Sequence, residues 1–269
     1  MERKIIAPKE NYFVPTKPKK EIPDDAHFDE PALWLVINDP HIPHHDEKAF
    51  ETAVNHGLAL GCDALYCNGD FADNSAFSKW FKDPRHLTPG EDVEAFKINM
   101  SNLASLFSRK IFKIGNHDDR YDKYISSNAE FARQVKGTDF KNVTKLEEMG
   151  YQVIESMQLA FLSSMPILHG HELERGFANP VNPARGVFMK TYDSMAVGHY
   201  HKTSSHFERM ALHGKLIAAR SIGCLCNLRT NYQALTKWNW GFATVKVVDN
   251  KVYEFSNYVI DDSYNVSRA

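Results

Sequence analysis

Five polar clusters, each sitting where an apolar run stops, constrain this chain more than any other feature of it. Asp39-Pro40-His41 follows Leu33-Trp34-Leu35-Val36-Ile37, Gly69-Asp70 follows a run over 63–68, and Gly115-Asn116-His117-Asp118 follows 110–114. His169-Gly170 closes a run over 166–169, and Gly198-His199-Tyr200-His201 closes 195–198. The first run lacks alternation, as in a strand covered on both faces. Asp46 then caps a helix with Ala49, Phe50, Ala53, Val54 and Leu58 on one face, stopped at Gly61 before the second strand. Thr88-Pro89 opens another helix, with Val93, Phe96, Met100, Leu103 and Phe107 at steps of three and four, before the third strand. Repeated β-α-β units make these strands parallel, so their polar clusters share the carboxyl edge where α/β folds place ligands. The glycines at 69, 115, 170 and 198 are read as sharp turns that bring the adjoining side chains over that edge.

After short helices from Asp118 to about residue 134, strand-like runs dominate: 151–155, 159–163, 166–169, 195–198 and 216–222. Residues 242–248 and 251–260 alternate around Asp249-Asn250 and read as an antiparallel hairpin. The fold class is α/β, with two packed sheets flanked by helices. Residues 1–30 carry Pro8, Pro15, Pro18 and Pro23 among Lys9, Lys17, Lys19 and Lys20, a composition for an extended arm. Residues 31–269 are expected to form one domain.

With a formal charge of -2, the chain has no global attraction for polyanions, so any nucleic-acid contact must come from local patches. No apolar run reaches the ~20 residues that span a bilayer, and no signal-type core follows the first residues, so a cytoplasmic protein without membrane contact is expected. Cys62, Cys67, Cys224 and Cys226 lie inside apparent strands and are read as reduced thiols. Cys224 and Cys226 share a strand face; a metal site is one reading, two small buried side chains the preferred one.

Carboxylate, amide and imidazole ligands together suit manganese, iron or zinc rather than the all-oxygen shells of calcium and magnesium. The candidate ligands are Asp39, His41, Asp70, Asn116, His169, His199 and His201. One carboxylate between two such ions can bridge them at ~3.5–4 Å and the pair acidifies a bound water, with Asp70 as the bridging candidate. His27, His44, His45, His56, His86, His206 and His213 are read as ordinary surface or core residues, and His171 as intermediate.

These clusters resemble the pattern of the calcineurin-like metallophosphoesterase superfamily: Asp-x-His, Gly-Asp-x-x-Asp, Gly-Asn-His-Asp/Glu, a His before Gly, and Gly-His-x-His. The match runs from about residue 33 to 205. It implies a four-layer α-β-β-α sandwich of two mixed sheets and a pair of divalent ions, manganese first, with iron, zinc, nickel or magnesium as alternatives. It further implies that Asp39, His41, Asp70 and His201 hold one ion and that Asp70, Asn116, His169 and His199 hold the other. His117 would protonate the leaving oxygen or steady the transition state, with Asp73 orienting it, worth roughly 10²–10⁴-fold in rate. Asp73 has a competing reading as the cap of a helix near Asn74. Where phosphoprotein phosphatases carry Arg, this chain has Asn74. Arg120 is the candidate replacement phosphate clamp, or a surface residue paired with Asp118, Asp119 or Asp122.

Gly-Asn-His-Asp-Asp-Arg at 115–120 and Gly-Cys-Leu-Cys at 223–226 also resemble phage and prophage members, which implies a phosphodiesterase or nuclease acting on DNA, RNA or nucleotides through a hydroxide shared by the ions. Lys79, Trp80, Phe81, Lys82, Arg85 and His86 could grip a strand, though packing of Trp80 and Phe81 is the preferred reading. Trp238, Trp240, Tyr232 and Arg229 could line a base pocket. A phosphomonoesterase or protein phosphatase is one alternative, and a metal-free binding scaffold on the same fold is the other.

Overall fold

Trp34 and Val36 point one way from their strand and Leu35 and Ile37 the other, and each pair enters a different apolar cluster. That is why the run does not alternate. The computed structural model describes residues 23–78, 87–128, 137–173, 181–230 and 235–269. Its first half contains β1 (Ala26–Phe28), β2 (Ala32–Ile37), α1 (Glu47–Ala59), β3 (Ala64–Cys67), α2 (Pro89–Ala104), β4 (Arg109–Lys113), α3 (Arg120–Asn128) and α4 (Phe140–Thr144). The second contains β5 (Gln152–Ile154), β6 (Ala160–Leu162), β7 (Met165–Leu168), α5 (Pro183–Thr191), β8 (Met195–Val197), β9 (Ser204–Arg209), β10 (Leu216–Ser221), β11 (Trp240–Val248), β12 (Lys251–Ile260) and β13 (Val266–Arg268).

Three apolar clusters define four layers. Phe50 and Val54 of α1 and Phe96 and Met100 of α2 pack on Leu35, Leu65 and Phe112 of a seven-stranded sheet ordered β13-β12-β11-β2-β3-β4-β5. The opposite face of that sheet, with Trp34, Val36, Tyr66 and Ile111, meets Leu162, Ile167 and Ala196 of a six-stranded sheet ordered β1-β6-β7-β8-β10-β9. Val187 and Phe188 of α5 cover the outer face of the second sheet through Leu168, Val197 and Ile217. The architecture is the α-β-β-α sandwich expected from the sequence.

Local signals act as read. The Asp46 side chain accepts from the Ala49 amide at 2.9 Å, and Thr88 and Glu91 form a reciprocal capping box at the start of α2. Asp249 and Asn250 both take left-handed φ, 49° and 57°, as a two-residue hairpin turn of the right twist demands. Several elements differ from expectation, among them α4 and β13, which fall where no element was read. β1 falls inside the segment read as an arm and pairs in parallel with β6; residues 1–22 of that segment lie outside the described residues. α5 starts at Pro183 behind Asn182, whose side chain accepts from the Arg185 amide at 3.0 Å. β9 is a polar edge strand, Ser-Ser-His-Phe-Glu-Arg, so it carries no apolar pattern to be read. Among the described residues no helix is long and apolar enough to cross a membrane.

Candidate metal centre

The parallel strands β2, β3 and β4 run in register, with Ile37 beside Cys67 and Cys67 beside Phe112, so the loops after them leave from one line. On the facing sheet, β7 and β8 pair in parallel through Leu168 and Val197 and end at the same edge. The loops after β2 and β3 are then bonded together, the Asp39 amide to Gly69 O and the His41 amide to Asp70 O, both at 3.1 Å.

Turning so sharply forces side-chain-bearing residues into the left-handed region: Asp39 (φ 53°), His41 (51°), Asp70 (53°), His199 (62°) and His201 (55°). Such backbone costs of order 1–3 kcal/mol per residue and persists only where surroundings dictate it. The sequence reading had given these turns to the neighbouring glycines. Gly69 and Gly170 do have positive φ, but Gly115 and Gly198 serve a different need. A Cβ on Gly115 would collide with the backbone N and Oδ1 of Asp70, and one on Gly198 would lie 2.9 Å from Asp39 Oδ2.

The structure brings all seven candidate ligands to this edge. Asp39 Oδ1 lies 3.1 Å from His201 Nε2 and 3.8 Å from His41 Nε2, and the two Nε2 atoms are 3.2 Å apart. Asp70 Oδ2 and Asn116 Oδ1 each lie 3.2 Å from His169 Nε2. His199 joins Asp70 and His169 in one group whose ligand atoms fall within 4.8 Å of each other. Asp70 also falls in a group with His41 and His117, and thus faces both halves of the site.

Each half is held from behind. His169 Nδ1 donates to Asn68 O at 2.8 Å and His41 Nδ1 to Asp73 Oδ1 at 3.2 Å, leaving both Nε2 atoms aimed inward. Asp39 Oδ2 accepts from Asn38 Nδ2 at 2.5 Å and from the His199 amide at 2.9 Å. Asp70 Oδ1 accepts from the His117 amide at 2.7 Å. Asp118, fully buried, accepts from the amides of Asp70, Ala72 and Gly115, each at 2.8 Å, and so ties the β3 and β4 loops together.

The titration pattern shows what charge the site favours. Burial pushes the Asp39 carboxyl up, but His201 and His169 outweigh it and bring it down to about 2. Burial would depress His169 and His201, yet the carboxylates facing them, Asp70 first for His169 and Asp39 for His201, raise them to about 10 and about 9. The carboxylates thus favour positive charge at two points, on the imidazoles of His169 and His201. A divalent ion would take the place of the Nε2 proton at each, and the donors, oxygen and imidazole nitrogen, are the class borderline ions take.

Asp73 does not cap the short 3-10 helix Ser75–Phe77; Asn74 stands at that position, and it makes no side-chain cap. Asp73 instead accepts from His117 Nδ1 at 3.0 Å as well as from His41. Asn74 Nδ2 is used within the loops, donating to the carbonyls of His117 (3.1 Å) and Asp118 (3.2 Å). Arg120 faces inward, with Nη2 2.7 Å from His117 Nε2 and Nη1 3.0 Å from Asp73 O, rather than pairing with Asp118, Asp119 or Asp122.

His171 turns away from the ligand groups to Ser156 Oγ at 2.9 Å, and burial depresses it to about 4. Trp238 stands edge-on to His201 with ring centroids 4.3 Å apart, whereas Trp240 stacks on Tyr264 and donates to Cys226 O. Tyr232 and the 79–86 stretch lie outside the described residues.

The sequence reading missed a buried ion pair beneath His169. Lys113 Nζ lies 3.0 Å from Glu172 Oε1, and Glu172 accepts from the amides of His169 (3.3 Å) and Gly170 (2.7 Å). Lys113 is 0% exposed and also donates to the carbonyls of Glu155 and Ser156. The signal was present, a lysine inside the apolar run Ile111-Phe112-Lys113-Ile114.

The sequence profile of calcineurin-like phosphoesterases matches residues 34–208, and the chain belongs to that family. The gene 54 protein of Mycobacterium phage L5 is 23% identical over 232 residues, 79% of this chain and 88% of its own length. Among solved structures, vacuolar protein sorting 29 from Cryptosporidium parvum overlays with a TM-score of 0.48 at 14% identity, covering 90% of this chain and 98% of that one. YfcE, a phosphoesterase from E. coli, overlays at 0.41 with 13% identity, covering 88% and 98%.

Proposed function

We propose that this chain is a dinuclear metal-dependent phosphodiesterase acting on nucleic acid or nucleotides. The observation that carries the reading is the inward convergence of His41 Nε2, His201 Nε2 and Asp39 Oδ1 on one side and His169 Nε2, Asp70 Oδ2 and Asn116 Oδ1 on the other. In this reading Asp39, His41, Asp70 and His201 would hold one ion, Asp70, Asn116, His169 and His199 the second, and Asp70 would serve both. Bound there, the ions supply Lewis acidity to the phosphoryl oxygens and lower the pKa of the attacking water.

The chain's own groups divide the remaining work. His117 is fixed through Nδ1 by Asp73, and its Nε2, protonated once it no longer accepts from Arg120 Nη2, is the atom that can pass a proton to a leaving oxygen. The diester preference follows from charge. A monoester dianion asks for further cationic donors, while Asn74 replaces one cation and both Nη groups of Arg120 are already engaged. Trp238, half-buried and in T-shaped contact with His201, is the aromatic side chain beside the ligands on which a nucleobase could stack.

Metal-stripped protein given manganese should hydrolyse bis-p-nitrophenyl phosphate faster than p-nitrophenyl phosphate. A preference for the monoester would overturn the diesterase reading, and no turnover of either with any divalent ion would leave a binding scaffold.

A further inference from the structure

On the far side of His201 from the other ligands lies a second set of metal donors. Nε2 of that imidazole faces Asp39, but Nδ1 faces the sulfur of Cys226 at 3.8 Å. Cys224 Sγ, Cys226 Sγ and a ring nitrogen of His201 all fall within 4.8 Å of one another. All three residues are buried: Cys224 is 0% exposed, Cys226 4% and His201 8%.

The backbone is arranged to face both sulfurs one way. Isolated bridges join Cys224 to Trp240 and Cys226 to His45, and the Leu225 amide between them bonds to Asp39 O at 3.2 Å. Leu225 enters the helix-covered core cluster, while the flanking cysteines turn to the imidazole. A tetrahedral ion with Zn–S near 2.3 Å and Zn–N near 2.0–2.1 Å sets neighbouring S and N atoms about 3.6 Å apart. The Cys226–His201 spacing of 3.8 Å already lies close to that edge. Asn239 O, 3.6 Å from Cys224 Sγ, stands beside the sulfurs as a further oxygen.

We propose that Cys224, Cys226 and Nδ1 of His201 form a separate site for one thiophilic, tetrahedral ion of the zinc and cadmium class, with the His201 ring shared between this site and the phosphoesterase centre. The thiol protons, and the Nδ1 proton on coordination, pass to the buffer. Soft thiolates select such ions over manganese or magnesium, so the two centres differ in the metal they prefer. The site does not depend on the diesterase reading, since its sulfur donors play no part there.

The test uses the full, reduced chain held in excess manganese and titrated with cadmium, following the thiolate-to-metal charge-transfer band in the short-wavelength ultraviolet. The band should grow and saturate at one ion per chain, and it should be lost in both Cys224→Ser and Cys226→Ser. Cadmium entering the oxygen and imidazole centre gives no such band, so failure here is distinct from failure of the phosphodiesterase assay. In the unaltered protein, cadmium-113 bound at one ion per chain should resonate in the downfield range of sulfur ligation rather than in the range of an all-oxygen and nitrogen shell. This keeps the test open if a serine variant fails to fold. Absence of the band, its survival in the Cys224→Ser/Cys226→Ser double variant, or a cadmium resonance without sulfur ligation would each overturn the proposal.

Discussion

The two halves of the centre present similar donors but are backed by different materials. Behind His169 and Asp70 stand the buried Lys113–Glu172 ion pair and the Asp118 carboxyl, which burial and Asp70 raise to about 7, so that it titrates near neutrality. Behind His201 and Asp39 stand neutral, soft groups: the Cys226 sulfur and the Asn38 amide, itself bonded to Gly223 O at 2.8 Å. A buried charge holds its partner through long-range fields and is costly to leave unpaired, whereas a thiol or amide acts only at contact. The first half is therefore set by electrostatics and the second by packing, so equal substitutions should weigh unequally on them.

In the proposed assignment Asp70 is the ligand shared by both halves, and its loss should erase the distinction. Asp70→Asn should lower metal content in both and reduce turnover by roughly 10³-fold or more, measured by elemental analysis alongside diester hydrolysis. Full metal content in this variant would show that the halves do not meet at Asp70. His117→Ala is the next largest effect. Turnover should fall by about 10²–10⁴-fold while metal content stays at the level of the unaltered protein, if His117 acts on the leaving group as proposed. Loss of metal together with activity would instead make His117 part of one half.

How legible each half was from the sequence follows from where its groups lie along the chain. Asp39, His41, Asp70, Asn116, His169, His199 and His201 each stand next to a strand end, so a pattern of apolar runs and stops locates them. The groups behind them answer to contacts between distant segments. Glu172 pairs with Lys113 on another sheet, and Cys226 meets His201 across 25 positions. The left-handed backbone at Asp39 and His201 was hidden for the same reason: Asp and His tolerate it better than most side chains, but contacts between distant loops impose it. Among the elements, the buried strands and the two capped helices were readable, while the polar edge strand β9 had no apolar stripe to show.

Breaking the charged support tests the electrostatic half. Glu172→Gln leaves Lys113 buried without its counter-ion, a change that costs about 3–5 kcal/mol, and it should weaken metal binding by roughly 10–100-fold through displacement of His169. Replacing the pair together, Lys113→Met with Glu172→Leu, should restore much of the stability but not the metal affinity, because the amides of His169 and Gly170 still lose their acceptor. Thermal melting and manganese titration of the three proteins separate the two effects. If the double variant binds metal as the unaltered protein does, the ion pair has only a packing role.

The matching change on the other half should be the smallest. Cys226→Ala removes a sulfur that lies 3.8 Å from His201 Nδ1, a weak contact at that distance. His201 keeps its position through Asp39 at 3.1 Å and through the edge of Trp238. The loss of packing for one small buried group is about 1 kcal/mol, a fall of a few degrees in melting temperature at most. Manganese affinity should therefore change by less than about 3-fold, against the roughly 10–100-fold expected for Glu172→Gln. Equal losses from the two variants would erase the contrast, because they would show that the thiol positions its imidazole as firmly as the buried charge positions His169.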